Sequence, residues 1–415
     1  MLGLIRSQAH EEGVGMGAYS APQRVRAVFR VMVLAGVVVG AVAPAASASS
    51  ARSCRVTNVT QGTHFPPNSG QALTAAIAAA MPGDQLNVVG ICTGTYTLDK
   101  DLALTGISKT QFPTPTLDGQ QAGTTLTVAP SVAAALTNLT ITGGAAGGLP
   151  SFAGGGIENG GTLTLDSSTV SGNTAAVGAG INNTNGGTVT LNFSTVSGNG
   201  NFLDTVAGGG IQNANGGTVT LNSSTVSGNV SGHDGGGIEN GGTLTLNSST
   251  VSGNGANHGG GILGGGTVTV HSSMVNDNGA SIGGGIWAFG TLTLEDSTVS
   301  GNSAEFFAGG ILVGGAVTLK DSSTVSGNTA IDGAGIYNQG GTLTLDSSTV
   351  SGNTASSKGG GIYNDGGAVT LTSSTVSGNT AFAGGGLYND VGTVTLVDSI
   401  VSGNILDNCV NVPGC

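Results

Sequence analysis

Two short segments carry the side chains best suited to acid–base work. His233-Asp234 and His258 stand at matching points of adjacent repeats, and Glu239 follows the first of them closely. Imidazole and carboxylate groups held together pass protons near neutral pH, or hold a divalent ion weakly. Stacked repeats lie ~4.8 Å apart, which puts the two histidine segments roughly 5–8 Å from each other. A pair of solvated loops is the plain alternative. No metal ligand set and no cofactor motif is assigned. His64 and His271 stand alone.

Carboxylates form a second array. Asp166, Asp296, Asp321, Asp346 and Asp398 each follow a Thr-Leu-Thr-Leu segment or its variant. Glycoside hydrolysis needs two carboxylates about 5–9.5 Å apart. Asn192, Asn222 and Asn247 occupy the equivalent places elsewhere, which points to turn chemistry. A third array is aromatic. The residue after each repeat's Gly-Gly-Gly-Ile runs Glu158, Asn182, Gln212, Glu239, Leu263, Trp287, Leu312, Tyr337, Tyr363, Tyr388. Alternation turns this column outward. Rings stacked at repeat spacing bind sugar rings, or simply cover a β surface. Trp287, Tyr337, Tyr363 and Tyr388 are therefore the candidate ligand-binding residues. A fourth array is the Thr-x-Thr pattern, from Thr162 and Thr164 to Thr342 and Thr344, broken by Ala316 and Ala368. Such a flat hydroxyl face resembles that of ice-binding solenoids, although threonine favours exposed strand positions in any case.

The elements that position these arrays are set by an internal repeat. Gly-Gly-Gly-Ile or a close variant ends at ten positions, from Ile157 to Leu387, so nine intervals give a spacing of about 26 residues. Ser-Gly-Asn keeps the same beat, with Asn276-Asp277-Asn278 filling one place. Thr162-Leu163-Thr164-Leu165 and Ser168-Thr169-Val170-Ser171 alternate strictly, as half-buried strands do. Ile157 marks a third strand, and Gly160-Gly161 and Gly172-Asn173 supply turns. Three strands and three turns per repeat make one coil of a parallel β-helix. Right-handed winding follows from the crossover rule. The Asn173 column is expected to form a ladder of side-chain amides. Leu73, Ile77 and Met81 mark a capping helix that Pro82-Gly83-Asp84 ends.

The division expected along the chain is a signal region at 1–48, a cap with irregular coils at 49–150, regular repeats at 151–408 and a disulfide cap at 409–415. Arg24, Arg26 and Arg30 precede the apolar run Val31–Ala43 and small residues through Ala48, the build of a secretory signal peptide. Translation from Met16 would shorten its leading segment. No later stretch is long and apolar enough for a membrane span. Four cysteines suit an oxidising compartment, and of three connectivities the local pairs Cys54–Cys92 and Cys409–Cys415 avoid joining the far ends of a solenoid. The longest insertion is Gly200–Ala207, with Phe202, Leu203 and Asp204.

Composition narrows the function. Of 415 residues 78 are glycine, too few for collagen's one in three, and charged residues make up 8%. The mean hydropathy of +0.21 argues against disorder. The net charge is −12, no arginine follows Arg55, and only Lys320 and Lys358 follow residue 110. Nucleic-acid binding lacks the basic footprint it requires.

The GGGI and VSGN markers resemble the repeats of polymorphic outer-membrane proteins, within the bacterial pectate-lyase-like superfamily of right-handed parallel β-helices. Val170 and its equivalents stand where that group carries phenylalanine. The opening "LTAAIAAAMPGDQL" and "CTGTYTLDKDLALTG" resemble its N-terminal cap. The resemblance covers about residues 54–415. It implies the fold, an adhesin-like role or, in the same superfamily, a polysaccharide lyase or hydrolase. Lyases acting on uronates use arginine or lysine, and the coils hold no arginine. The reading is a secreted, non-enzymatic all-β solenoid that binds a polysaccharide or cell-surface glycan through Trp287 to Tyr388. A polysaccharide-active enzyme using His233, Asp234 and His258 is the alternative, and an ice-binding protein a further one.

Overall fold

The computed structural model describes residues 53–67, 70–147, 153–184, 186–201 and 208–415. Residues 1–48, expected to form a signal region, and the insertion residues Phe202, Leu203 and Asp204 lie outside the described residues.

Alternation makes the strands, and register stacks them. Ile157–Asn159, Thr162–Asp166 and Thr169–Ser171 are strands, followed by a short fourth strand, Thr174–Ala175, that the repeat pattern alone does not announce. Equivalent strands of successive repeats pair in parallel: Ile157 lies against Ile181, Leu163 against Val189, Val170 against Val196. The first two strands of each coil join one 26-stranded sheet, the third builds a 13-stranded sheet, and the fourth a 9-stranded sheet. The result is an all-β parallel solenoid of about 12 turns. Its interior is four apolar columns, those of Ile157, Leu163, Leu165 and Val170, all 1% exposed or less. Each such side chain contributes roughly 1.5–3 kcal/mol on burial.

Polar columns close the corners. Asn173 donates through Nδ2 to Asn199 Oδ1 at 3.0 Å, Asn199 to Asn229 at 3.0 Å, and so on to Asn404. Each amide also donates to a backbone carbonyl, as Asn199 does to Val170 at 3.0 Å. Its oxygen takes in addition the preceding asparagine's backbone N–H, so the buried groups are satisfied. Buried serines form a second column, with Ser168 N–H donating to Ser194 Oγ at 3.0 Å. A second amide ladder, unforeseen from the sequence, runs Asn159, Asn183, Asn213, Asn240 and resumes at Asn338, Asn364, Asn389.

The aspartates that follow Thr-x-Thr-x fall into two columns rather than one. Asp166 ends a strand and pairs with Asn192. Asp296 and Asp398 instead occupy the next position, a one-residue turn with φ near +48°, where Ser167 and Ser248 stand in other coils. Turn geometry thus accounts for both sets.

The first strand edge is covered. Arg55–Asn58 pairs antiparallel with Thr63–Phe65 and with Asp84–Val89, and the helix Gln71–Ala79 buries Ala72, Leu73, Ala76 and Ile77 beside them. Met81 does not share that face: the helix ends before it, and Met81 is 65% exposed. Asp84 does the terminating. Its carboxylate is buried and accepts from Asn58 at 2.8 Å, Gln61 at 2.7 Å and the Met81 N–H at 2.8 Å. The Asn58 amide, then the Met81 N–H, hold its pKa below the ordinary value. Cys54 is bonded to Cys92 and Cys409 to Cys415.

Candidate functional site

The fourth strand and the glycine corner after it create one continuous outer seam. The fourth strand is two residues long at Val230–Ser231 but lengthens to Gly255–His258, Gly279–Ile282 and Ser303–Phe307. Its distal residues stack in register: Asp234, His258, Ile282, Phe307, Asp332 and Lys358. The chain then turns at a glycine of positive φ, such as Gly359 at +61°, where an added Cβ would lie 2.6 Å from Tyr363 Cβ. After the turn, the residue following each buried isoleucine faces this ridge. In the seventh repeat Ala308 replaces the glycine, keeps φ at +58°, and is wholly buried.

The histidine segments meet as their spacing implies. Asp234 Oδ2 lies 2.9 Å from His233 Nδ1, and Asp234 Oδ1 lies 2.9 Å from His258 Nδ1. The imidazole centroids are 5.3 Å apart and nearly perpendicular. The backbone fixes them: the His233 carbonyl accepts from the N–H groups of Asn257 at 3.0 Å and His258 at 2.9 Å. Side-chain exposures of 42%, 25% and 30% for His233, Asp234 and His258 leave the group open to solvent. Glu239 stands nearby, with its pKa pushed up to about 7, first by burial and then by the Asp234 charge; the Gln212 amide and His233 oppose the shift. Glu239 Oε2 is buried and has no hydrogen-bond partner among the described residues.

Trp287 belongs to the same corner. Its ring meets His258 edge-on at 4.9 Å and Phe289 at 4.5 Å, and Phe289 is exposed. The histidine cluster and the aromatic column, which read as separate arrays in the sequence, are therefore neighbours.

The rest of the column is less open than alternation implies. Tyr337 and Tyr363 are both only 6% exposed. Phe307 and Tyr337 are 5.2 Å apart, Tyr337 and Tyr363 4.8 Å, Tyr363 and Tyr388 5.4 Å. Lys358 Nζ sits 4.9 Å over the Tyr388 ring. Tyr337 donates to Asp365 at 2.8 Å and Tyr363 to Asp390 at 3.2 Å. Burial is the main reason both hydroxyls titrate above the ordinary tyrosine range. The open aromatic platform expected at Tyr337 and Tyr363 is corrected accordingly: the ridge covers these rings, and their faces are spent on one another. The lengthened fourth strand does this, and its only sequence signal is the apolar Ile282 and Phe307 ahead of the glycines.

The threonine face is as regular as its pattern. Thr162, Thr188, Thr218 and Thr243 pair in register, as do Thr164, Thr190, Thr220 and Thr245. His271 is not alone: it lies 3.7 Å from Glu295, which pairs with Lys320 at 3.4 Å, all partly exposed and so worth little. His64 accepts or donates at Thr57 Oγ1, 3.0 Å away.

The architecture and this seam define the class: a parallel β-solenoid with one charged, aromatic-flanked corner. In comparisons with known proteins, no family model, curated protein or solved structure matches the chain. Among the described residues no helix is long and apolar enough to cross a membrane.

Proposed function

We propose that the chain is a secreted, non-enzymatic β-solenoid that binds an extracellular glycan, with the contact centred on Trp287 and the His233–Asp234–His258 cluster. One observation carries this reading. The chain's only tryptophan is partly exposed between His258 and the exposed Phe289, so an aromatic surface and charged hydrogen-bonding groups lie together. Sugar recognition uses that combination: a ring face for C–H surface and polar groups for hydroxyls. Tyr388, at the far end of the seam, is half-buried and offers a lesser second contact. The disulfides and the signal-like N-terminal sequence support the extracellular setting.

The test is direct binding of the purified chain to a panel of neutral, acidic and aminated polysaccharides, followed by Trp287 fluorescence. Saturable binding that Trp287→Ala abolishes and Tyr363→Phe leaves intact is expected. Binding that is absent, or indifferent to Trp287, would overturn the reading. A polysaccharide-active enzyme is the second reading because the Glu239 carboxyl, pushed up to about 7 chiefly by burial, stands close enough to the Asp234 carboxylate to feel its charge, and two neighbouring carboxyl groups are what acid–base glycoside chemistry uses. Release of reducing ends or unsaturated uronates, lost in Glu239→Gln and His258→Ala, would favour it.

A further inference from the structure

The His233–Asp234–His258 group has a donor set that glycan binding does not use up. Each imidazole aims Nδ1 at a different oxygen of one carboxylate, at 2.9 Å in both cases. One ligand atom from each of the three residues falls within 4.8 Å of the others. We propose that this corner is a binding site for one first-row divalent transition ion, of the zinc–copper group, held by the two Nδ1 atoms and the Asp234 carboxylate.

Four features carry the assignment. First, two imidazoles and one carboxylate form the mixed nitrogen–oxygen set that zinc, copper and nickel take, whereas calcium and magnesium favour all-oxygen sets. Second, the donors already converge: each Nδ1 lies 2.9 Å from an oxygen of the one carboxylate, so a small side-chain rotation opens the ~3.4 Å spacing that ligands ~2.1 Å from a tetrahedral ion take. Third, the scaffold is rigid where it must be. Asp234 and His258 are paired across adjacent coils, and the His233 carbonyl takes both N–H groups of Asn257 and His258. Preorganised ligands of this kind lose little on binding. Fourth, all three side chains are partly exposed, so an ion has access and water can fill the remaining positions. Coordination through Nδ1 moves each imidazole proton to Nε2, so both rings stay neutral and no redox step is involved.

The chain contains its own reporter. Trp287 is the sole tryptophan and packs on His258 at 4.9 Å. A copper(II) ion in the site quenches its fluorescence, and zinc binding is read by calorimetry. The experiment uses tag-free protein treated with EDTA and then dialysed, with no glycan present, so its outcome is independent of the glycan reading. One zinc ion per chain, competition between zinc and copper, and no heat with calcium are expected. His233→Ala and Asp234→Asn, which keep the His258–Trp287 contact, should each weaken zinc binding on the order of tenfold or more, with unchanged thermal melting. No saturable zinc heat up to millimolar metal overturns the proposal, as does equal binding by calcium. Unchanged affinity in both variants also overturns it. If a variant melts early, copper quenching of Trp287 in the unmodified chain, reversed by zinc, decides the question alone.

Discussion

The two halves of the outer seam are built on the same apolar interior columns and differ most in the column that follows each buried isoleucine. From Glu158 to Glu239 that column is polar: Asn182 donates to Glu158 at 2.9 Å, and Thr184 donates to the same carboxylate at 3.0 Å. From Leu263 to Tyr388 it is apolar and aromatic, with Leu312, Tyr337 and Tyr363 buried against Ile282 and Phe307. The apolar columns of the interior do not register the change. Val226 and Val325, or Leu246 and Leu345, are equally and fully buried. A solenoid core is fixed coil by coil, so an outer column is free to vary. The charged corner falls where the two halves meet. There Gly264, Ala288 and Val313 also replace the asparagines of the second amide ladder.

The largest effect should be blind to this division. Asn254 and Asn353 occupy the same ladder, one in each half. Removing either amide takes a donor from a backbone carbonyl and the acceptor from an asparagine N–H, and costs the neighbouring amides one bond each. Asn254→Ala and Asn353→Ala should each cost about 3–5 kcal/mol, at about 1–3 kcal/mol per orphaned buried group with partial relaxation. Urea midpoints of the two variants check this. Unequal losses would break the claim that the halves share one interior.

The second effect should divide the halves sharply. Tyr337→Ala removes a buried ring that touches Phe307 and Tyr363, and the cost expected is about 3 kcal/mol. Gln212→Ala, the equivalent substitution in the polar half, loses the amide's bond to Glu239 but also removes an Oε1 that is buried without a partner, so the two largely offset and its cost should stay under about 1 kcal/mol. Denaturation of the pair measures the difference. Comparable losses would mean that the aromatic half is covered but not packed.

Much of this was legible in the sequence, because a repeat writes each structural decision many times. Ile157, Leu163 and Val170 declared their columns by alternation, and Asn173 its ladder by sharing their beat. Both disulfides followed from chain geometry. What escaped lay where the repeat is irregular. The fourth strand has no alternation to read at Gly255–His258, and its length alone decides whether Tyr337 is open or covered. Asn159 stands beside the isoleucine in sequence, two residues on, and so shares its inward face; its ladder was available from period-two alternation but hidden by Gly264, Ala288 and Val313. His258 and Trp287 are 29 positions apart in the chain, and only the turn at the glycine corner brings ridge and column together. Met81 had the right spacing for the helix face, but Asp84 captures its N–H and ends the helix first.

The smallest effect tests the boundary between the halves through pH. Glu239 holds its proton in the folded chain up to about 7, against an ordinary 4.5, chiefly through burial and secondly through Asp234. In the unfolded chain it releases the proton near the ordinary value. Between those two pH values the unfolded state therefore binds fewer protons, and stability must fall as pH rises from about 4.5 to about 7, then level off. The fall should be on the order of 2 kcal/mol, below the full linkage value because the side chain is only partly shielded from water. Glu239→Gln should remove that slope, matching the parent chain near pH 4.5 and exceeding its stability above pH 7. Denaturation in the presence of EDTA across this range measures both curves. Leu263, one coil further on, occupies the same column without a charge, so Leu263→Gln should leave the slope intact. A slope that survives Glu239→Gln would place its origin in other groups of the corner and detach Glu239 from the boundary between the two halves.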